Sequence, residues 1–259
     1  MSKSFNTITH NTDDSGVTTL TIDRPNKLNA LNDEVLNELA QFFKSVQVDK
    51  DLRAVIIKGA GDKAFAAGAD IKELQELGNR SGRMASQKGQ QIFQLIVDTR
   101  KPVIAAINGF ALGGGLELAM ACHMRIAGQD AVLGLPEVGL GLIPGYGGTQ
   151  RLSELIGRSR ALEMILTGKQ ISADEAFQMG LVNDVTDGDV YETAQSLADD
   201  ILENGPIAIQ SALKAVYHSG NQNGYQIEAD LFGELCDTDD FIEGTTAFLE
   251  GRDPNFEGH

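Results

Sequence analysis

Cysteines, bases and long apolar runs are all scarce in this chain. Only two cysteines, Cys122 and Cys236, occur in 259 residues, without ligand-type spacing. That excludes a disulfide scaffold or a cysteine-held metal cluster and leaves two free thiols in a reducing compartment. Lys and Arg number 21 against 37 Asp and Glu, a net charge of −16. The imbalance is local: Asp184 to His259 holds 17 acids and 2 bases, and the rest is close to neutral. With no basic face to neutralise phosphates, nucleic acid and anionic membrane are excluded as partners. The acidic end reads as a solvated helical surface, so a polyanionic ligand would have to be met by the near-neutral first part. The longest uncharged stretch, Pro102 to Leu116, is interrupted by Asn108 and small residues, and is too short to span a bilayer. The first twenty residues lack the apolar stretch of a secretion signal, so the expected location is the cytoplasm. No Gly-x-Ser-x-Gly occurs, and His10, His123, His218 and His259 show no paired arrangement, which argues against a serine hydrolase.

What is present organises into two parts. Val17 to Ile22 alternates as a half-buried strand and ends at Arg24-Pro25-Asn26. Asn32 is placed to cap a helix whose apolar stripe is Val35, Leu36, Leu39, Phe43 and Val46. Ala54 to Ile57 and Val103 to Ile107 read as buried strands with helix between them, including a run from Gln90 to Val97. Met124 to Ala127 and Ala131 to Leu133 are shorter strands. The alternation implies an α/β core with crossover connections. Beyond residue 147 helices dominate: Gly148 to Ile156, Arg160 to Leu166, a capping box at Ser172 to Glu175 stopped by Gly180, then four more between Val190 and Leu249. The expected division is a core over 1–189 and a helical region over 190–259. No sequence repeat or flexible linker is evident.

Two neutral, glycine-rich runs each hold a single acid. From Pro102 to Met124 it is Glu117; from Ala131 to Gln150 it is Glu137. A carboxylate there loses hydration without gaining an adjacent cation, which raises its pKa toward the range useful for proton exchange. One such acid alone would ordinarily cap a helix or pair with Arg125 or Arg151; two shift the balance toward chemistry. Gly113-Gly114-Gly115 follows a strand and opens a helix, where bare N–H groups can approach an oxygen acquiring negative charge. The loop Phe65 to Asp70, ending in a capping pair of Asp70 and Glu73, can present another N–H beside them. Tight turns and close packing are the plainer reading of either loop taken alone.

The segments AFAAGADIKEL (64–74), NGFALGGGLELAMACHMRIAG (108–128), LGLPEVGLGLIPGYGGTQRL (133–152) and LTGKQISADEAFQMGLV (166–182) resemble the signature of the crotonase (enoyl-CoA hydratase/isomerase) family, in the family's order. Weaker similarity runs from residue 22 to 256. The resemblance implies an α/β crotonase-like spiral of ββα units with a C-terminal helical trimerisation region, assembled as a trimer or dimer of trimers. It implies that the N–H groups of Ala69 and Gly114 form an oxyanion hole for a thioester carbonyl. Lys27, Leu28, Ala30, Ala67, Gly68, Ala69, Asp70, Ile71, Lys72 and Gly114 would bind an acyl-CoA. Relatives that hydrate carry both acids, matching Glu117 and Glu137. The implied reaction is syn addition of water to a 2-enoyl-CoA, giving a 3-hydroxyacyl-CoA as in fatty acid β-oxidation. No metal or redox cofactor is implied, coenzyme A being part of the substrate. His123, Leu133 and Tyr146 depart from the family's usual Asp, Phe and a smaller residue; Tyr146 would reshape the acyl pocket or lie at the surface. Gly251 and Glu257 stand where lysines often approach the CoA phosphates, which counts against nucleotide contacts from that end.

Isomerisation of a 3-enoyl-CoA, needing one acid and the same hole, is the nearest rival. A dinucleotide-binding oxidoreductase is suggested by Gly59-Ala-Gly61-Asp-Lys-Ala64 after a strand, but no convincing helix follows. A non-catalytic binding protein has no reason to keep both acids in apolar surroundings.

Overall fold

The computed structural model describes residues 5–259. Its strands are β1 (Ile8–Thr12), β2 (Val17–Ile22), β3 (Ala54–Gly59), β4 (Ala64–Ala67), β5 (Val103–Ile107), β6 (Phe110–Leu112), β7 (Met124–Gly128), β8 (Val132–Gly134), β9 (Gln170–Ser172) and β10 (Asp184–Thr186). The helices are α1 (Asp33–Val46), α2 (Ile71–Gln75), α3 (Asn79–Val97), α4 (Gly114–Ala121), α5 (Gly148–Ile156), α6 (Arg158–Thr167), α7 (Ala173–Met179), α8 (Val190–Leu202), α9 (Pro206–Tyr217), α10 (Gly224–Cys236) and α11 (Asp239–Glu250). Short 3-10 turns cover Pro25–Lys27 and Glu137–Leu140.

Two sheets form, one ordered β1-β2-β3-β5-β7-β10 and the other β4-β6-β8-β9. All pairings are parallel except β1 with β2 and β8 with β9. The pairs β3-β4, β5-β6 and β7-β8 each give one strand to each sheet before helix follows, so a ββα unit recurs although the sequence shows no repeat. The units differ in their returns: α3 has 19 residues and α4 has 8. Every residue of β5 is buried, as a central parallel strand covered on both faces requires. Asn32 caps α1 by accepting from Val35 N at 3.0 Å, and the stripe read from the sequence is its buried face. The Ser172–Glu175 capping box forms, and Gly180 ends α7 at φ 78°.

The Asp70–Glu73 pair behaves differently from expectation. Asp70 does cap α2, through Lys72 N at 3.2 Å, but Glu73 accepts from Asp33 N at 3.0 Å and so ties α2 to the start of α1. The G-x-G-x-x-A segment leads into strand β4, not into a helix. This segment therefore offers no helix N-terminus to a pyrophosphate, and the dinucleotide reading falls.

The chain divides into two compact units, one running to Thr99 and from Val103 to Gln195, the other comprising Arg100–Pro102 and Ser196–His259. The boundary after Gln195 lies within α8, which itself begins at Val190. In the second unit, Asp240 accepts from Glu257 N at 2.8 Å and Gly258 N at 3.2 Å, and Arg252 grips Glu243 through two bonds of 2.6 and 2.9 Å. Among the described residues no helix is long and apolar enough to cross a membrane.

Candidate active site

The site is assembled around the N-terminus of α4. Gly113, at φ 49°, turns the chain out of β6 into the helix, a conformation that favours glycine. All eight residues of α4 are buried, and Glu117 is its only charged one. Glu117 lies three residues after Gly114 and four after Gly113, on the same face one turn along.

Gly114 opens the helix, so its N–H precedes the first intrahelical bond. A Cβ on Gly114 would lie 3.5 Å from Ala69 N, so the start of α4 runs close beside the loop at Ala69. Ala69 is placed by the segment before α1. Ala67 N donates to Leu28 O at 3.0 Å, Leu31 N to Gly68 O at 2.8 Å and Asp70 N to Leu31 O at 3.1 Å. The same bonds set Leu28 and Ala30 alongside Ala67–Asp70, with Lys27, Leu28, Ile71 and Lys72 exposed next to them.

That segment is held in large part by Asn29, which the sequence reading passed over. Leu28 and Asn29 both have positive φ, 50° and 56°. Buried Asn29 donates to Ala60 O at 3.0 Å and Ala64 O at 2.7 Å, and accepts from Arg24 N at 3.0 Å. Arg24 also donates to Ala30 O and pairs with Asp70 at 3.3 Å. An asparagine after Pro25 and before a helix cap was the available signal, since Asn tolerates the left-handed region.

The two glutamates come together from different elements. Glu117, only 2 % exposed, accepts at Oε1 from Tyr146 N at 2.8 Å and Gly148 N at 2.7 Å. Burial pushes its carboxyl up to about 7 and the charge of Glu137 adds to the rise, against the pull of those N–H groups and of Arg151. Gly148 is required here, because a Cβ on it would lie 2.8 Å from Glu117 Oε1. Glu137 starts the 3-10 turn after β8, and a Cβ on Gly113 would meet its Oε1 at 2.9 Å. Its Oε2 is buried without a hydrogen-bond partner, and burial raises this carboxyl too. Arg125 is directed elsewhere, donating to Leu181 O and Cys122 O at 2.8 Å each beneath α4.

Tyr146 is a wall of the site. Its ring packs edge-on to Phe93 at 5.7 Å and fills the notch at Gly89, where a Cβ would lie 2.2 Å from the ring. With Ala69, Leu31, Leu36, Leu74 and Leu77 it borders a cavity of about 110 Å³, which Asp33, Glu73 and Lys88 also line. His123 is a strut: Nδ1 accepts from Val103 N at 2.9 Å, and burial lowers the ring to about 4, keeping it neutral.

Two carboxyls that burial raises, set beside the N-terminus of a helix, are the equipment of acid–base chemistry. The sequence over residues 12–259 matches the family described as enoyl-CoA hydratase/isomerase. A short-chain-enoyl-CoA hydratase of Clostridium acetobutylicum is 44% identical over 241 residues, covering 91% of this chain and 92% of that one. A crotonyl-CoA hydratase of Syntrophomonas wolfei is 46% identical over 242 residues, covering 92% and 93%. The crystal structure of an enoyl-CoA hydratase from Bacillus anthracis superposes with a TM-score of 0.93 at 40% identity, covering 98% of this chain and all of that one. The chain belongs to the enoyl-CoA hydratase/isomerase family, and its α/β spiral is the crotonase fold.

Proposed function

We infer that the protein is an enoyl-CoA hydratase, a hydro-lyase that adds water across the double bond of a 2-enoyl-CoA. The observation that carries this reading is the meeting of two carboxyls that burial raises toward neutrality: Glu117, buried and held by two N–H groups, and half-buried Glu137, whose buried Oε2 has no hydrogen-bond partner, so that the pair can hold one proton and give or take it. The thioester oxygen sits between the N–H groups of Ala69 and Gly114, which draws electrons from the β-carbon. Ionised Glu117 takes a proton from water as the oxygen bonds to that carbon. The enolate charge is held in the hole, and Glu137 delivers its proton to the α-carbon. Hydroxyl and proton are delivered to one face of the alkene, a syn addition. Lys27, Leu28, Ala30, Gly68, Asp70, Ile71 and Lys72 flank the nucleotide-bearing arm of the substrate. An isomerase needs only one of the two acids, which makes it the weaker reading.

The acyl tail is short. Beyond Ala69 it enters the cavity that Tyr146 closes, and a long tail would strip water from Glu73 and the Lys88–Asp33 ion pair. Absorbance assays without nicotinamide, on an acyl series from crotonyl upward in two-carbon steps, test both points. Turnover is expected to be best with the shortest acyl groups, and Tyr146→Ala is expected to favour longer ones by about tenfold or more. No hydration of any member would overturn the function, and an unchanged profile in the variant would overturn the role of Tyr146.

The chain acts in fatty acid degradation in the cytoplasm and assembles as a homotrimer or dimer of trimers. Support for assembly comes from apolar side chains of the second unit: Phe232, Phe248 and Leu249 are 69%, 85% and 85% exposed, more than a lone subunit keeps in water. Light scattering on the purified protein is expected to give three or six times the chain mass; the mass of one chain would refute the assembly.

A further inference from the structure

The turn that grips Glu117 is itself gripped from behind. Gly145 O accepts from Ser86 Oγ at 2.6 Å and from Gln90 Nε2 at 3.1 Å, and Gln90 Nε2 lies 3.1 Å from Ser86 Oγ. Ser86 and Gln90 are four residues apart on α3 and so share a face. The carbonyl of Gly145 and the N–H of Tyr146 are two ends of one peptide group, and that N–H is the one that meets Glu117 at 2.8 Å. We propose that Ser86 and Gln90 are positioning residues for hydration, orienting and polarising the Gly145–Tyr146 peptide so that its N–H stays directed at Glu117. The proposal rests on the reading of Glu117 as the base that activates water.

Three features support it. Gly145 has no side chain to fix its torsions, and a Cβ built there would meet nothing nearer than 3.8 Å, so no packing at Gly145 itself fixes the plane of this peptide. If the plane turned over, a carbonyl oxygen would meet the carboxylate. Hydrogen bonds in series also polarise one another, so donors on the carbonyl strengthen what the N–H gives at the other end. Finally, Tyr146 rests in the Gly89 notch between Ser86 and Gln90, so α3 holds the turn at three neighbouring positions.

The charged groups acting on Glu117 are Glu137 from the 3-10 turn and Arg151 from α5. Ser86 and Gln90 are uncharged, so replacing them changes neither. Loss of their support weakens a bond to the ionised form of Glu117, and its proton is then held to higher pH. The acid limb of kcat/KM reports that ionisation in the free enzyme.

The test is the pH profile of enoyl-CoA hydration for the full-length Ser86→Ala/Gln90→Ala double variant. The acid limb is expected to move up by about one pH unit, cutting kcat/KM at neutrality about fivefold with KM little changed. Activity is expected to recover toward wild type on the alkaline side, which a merely loosened site would not allow. Ser86→Thr, which keeps the hydroxyl, is expected to leave the limb in place. Should the double variant not fold, the single Gln90→Ala change at an exposed position is expected to give a smaller shift in the same direction. A limb at the wild-type position, or a loss uniform across pH, overturns the proposal. Glu117→Gln run alongside separates the two claims: an active glutamine variant removes the base itself, whereas an inactive one with an unshifted double variant removes only the support from α3.

Discussion

Replacing Glu117 or Glu137 by glutamine is expected to lower kcat for hydration of a short enoyl-CoA by about two to four orders of magnitude, the range for a positioned acid or base. Glutamine conserves shape. At position 117 its amide oxygen can still accept from Tyr146 N and Gly148 N, so the turn after Pro144 keeps its anchor. What is lost is a group able to take a proton from water. At position 137 the loss is of a proton to give, since Glu137 Oε2 has no partner in the fold to explain its presence otherwise.

The Glu117 variant has a second signature, in stability. The wild-type carboxyl holds its proton to about 7 in the fold against 4.5 when exposed. Between those values the folded state binds more protons than the unfolded chain, so stability falls as pH rises through the window. A neutral amide escapes this. Glu117→Gln is therefore expected to gain on the order of 3 kcal/mol over wild type above neutrality, and little at low pH. Urea unfolding of both proteins on either side of the window measures it, alongside steady-state rates. Wild-type-like turnover by either glutamine variant would remove the assigned roles. An inactive Glu117→Gln protein without the alkaline gain would mean that the carboxylate is better solvated than its 2 % exposure implies.

How much of this was visible in the sequence depended on whether the signal was local. The stripe of α1, the caps at Asn32 and Ser172 and the buried run of β5 are legible because periodicity, capping chemistry and apolar continuity act within a few residues. Both acids stood out for a related reason, each being the only charge in a long neutral run. Strands β6 and β9, three residues each, carry too few side chains to show a period, and β4 reads Ala-Phe-Ala-Ala. Their pairing comes from neighbours distant in the chain. Glu73 looked like the second half of a local capping box, but Asp33 N, 40 residues away, won its carboxylate. Ser86 and Gln90 left no signal at all, since two polar residues a turn apart on a helix read as a wet face. Their partner, Gly145 O, is 59 and 55 residues distant.

Deleting one main-chain donor is expected to cost about a hundredfold to a thousandfold in rate, and position 114 allows it without dismantling the helix. Gly114 is the first residue of α4, where proline is tolerated because its missing N–H belongs to no intrahelical bond. Gly113, at φ 49° and ψ −125°, already lies far from the α region that a following proline disfavours. Adding a side chain has its own effect, because a Cβ at 114 lies 3.5 Å from Ala69 N and from the Tyr146 ring. Gly114→Ala measures that crowding with the N–H intact. The ratio of kcat/KM between Gly114→Ala and Gly114→Pro then isolates the donor, provided urea unfolding finds both folded. A ratio near one would mean that the thioester oxygen does not rest on Gly114, and the hole would have to be sought elsewhere. Neighbouring Gly115 cannot serve as the probe: a Cβ there would come within 1.8 Å of Ala66 O, so its substitution breaks the contact between α4 and β4 before any question about catalysis can be asked.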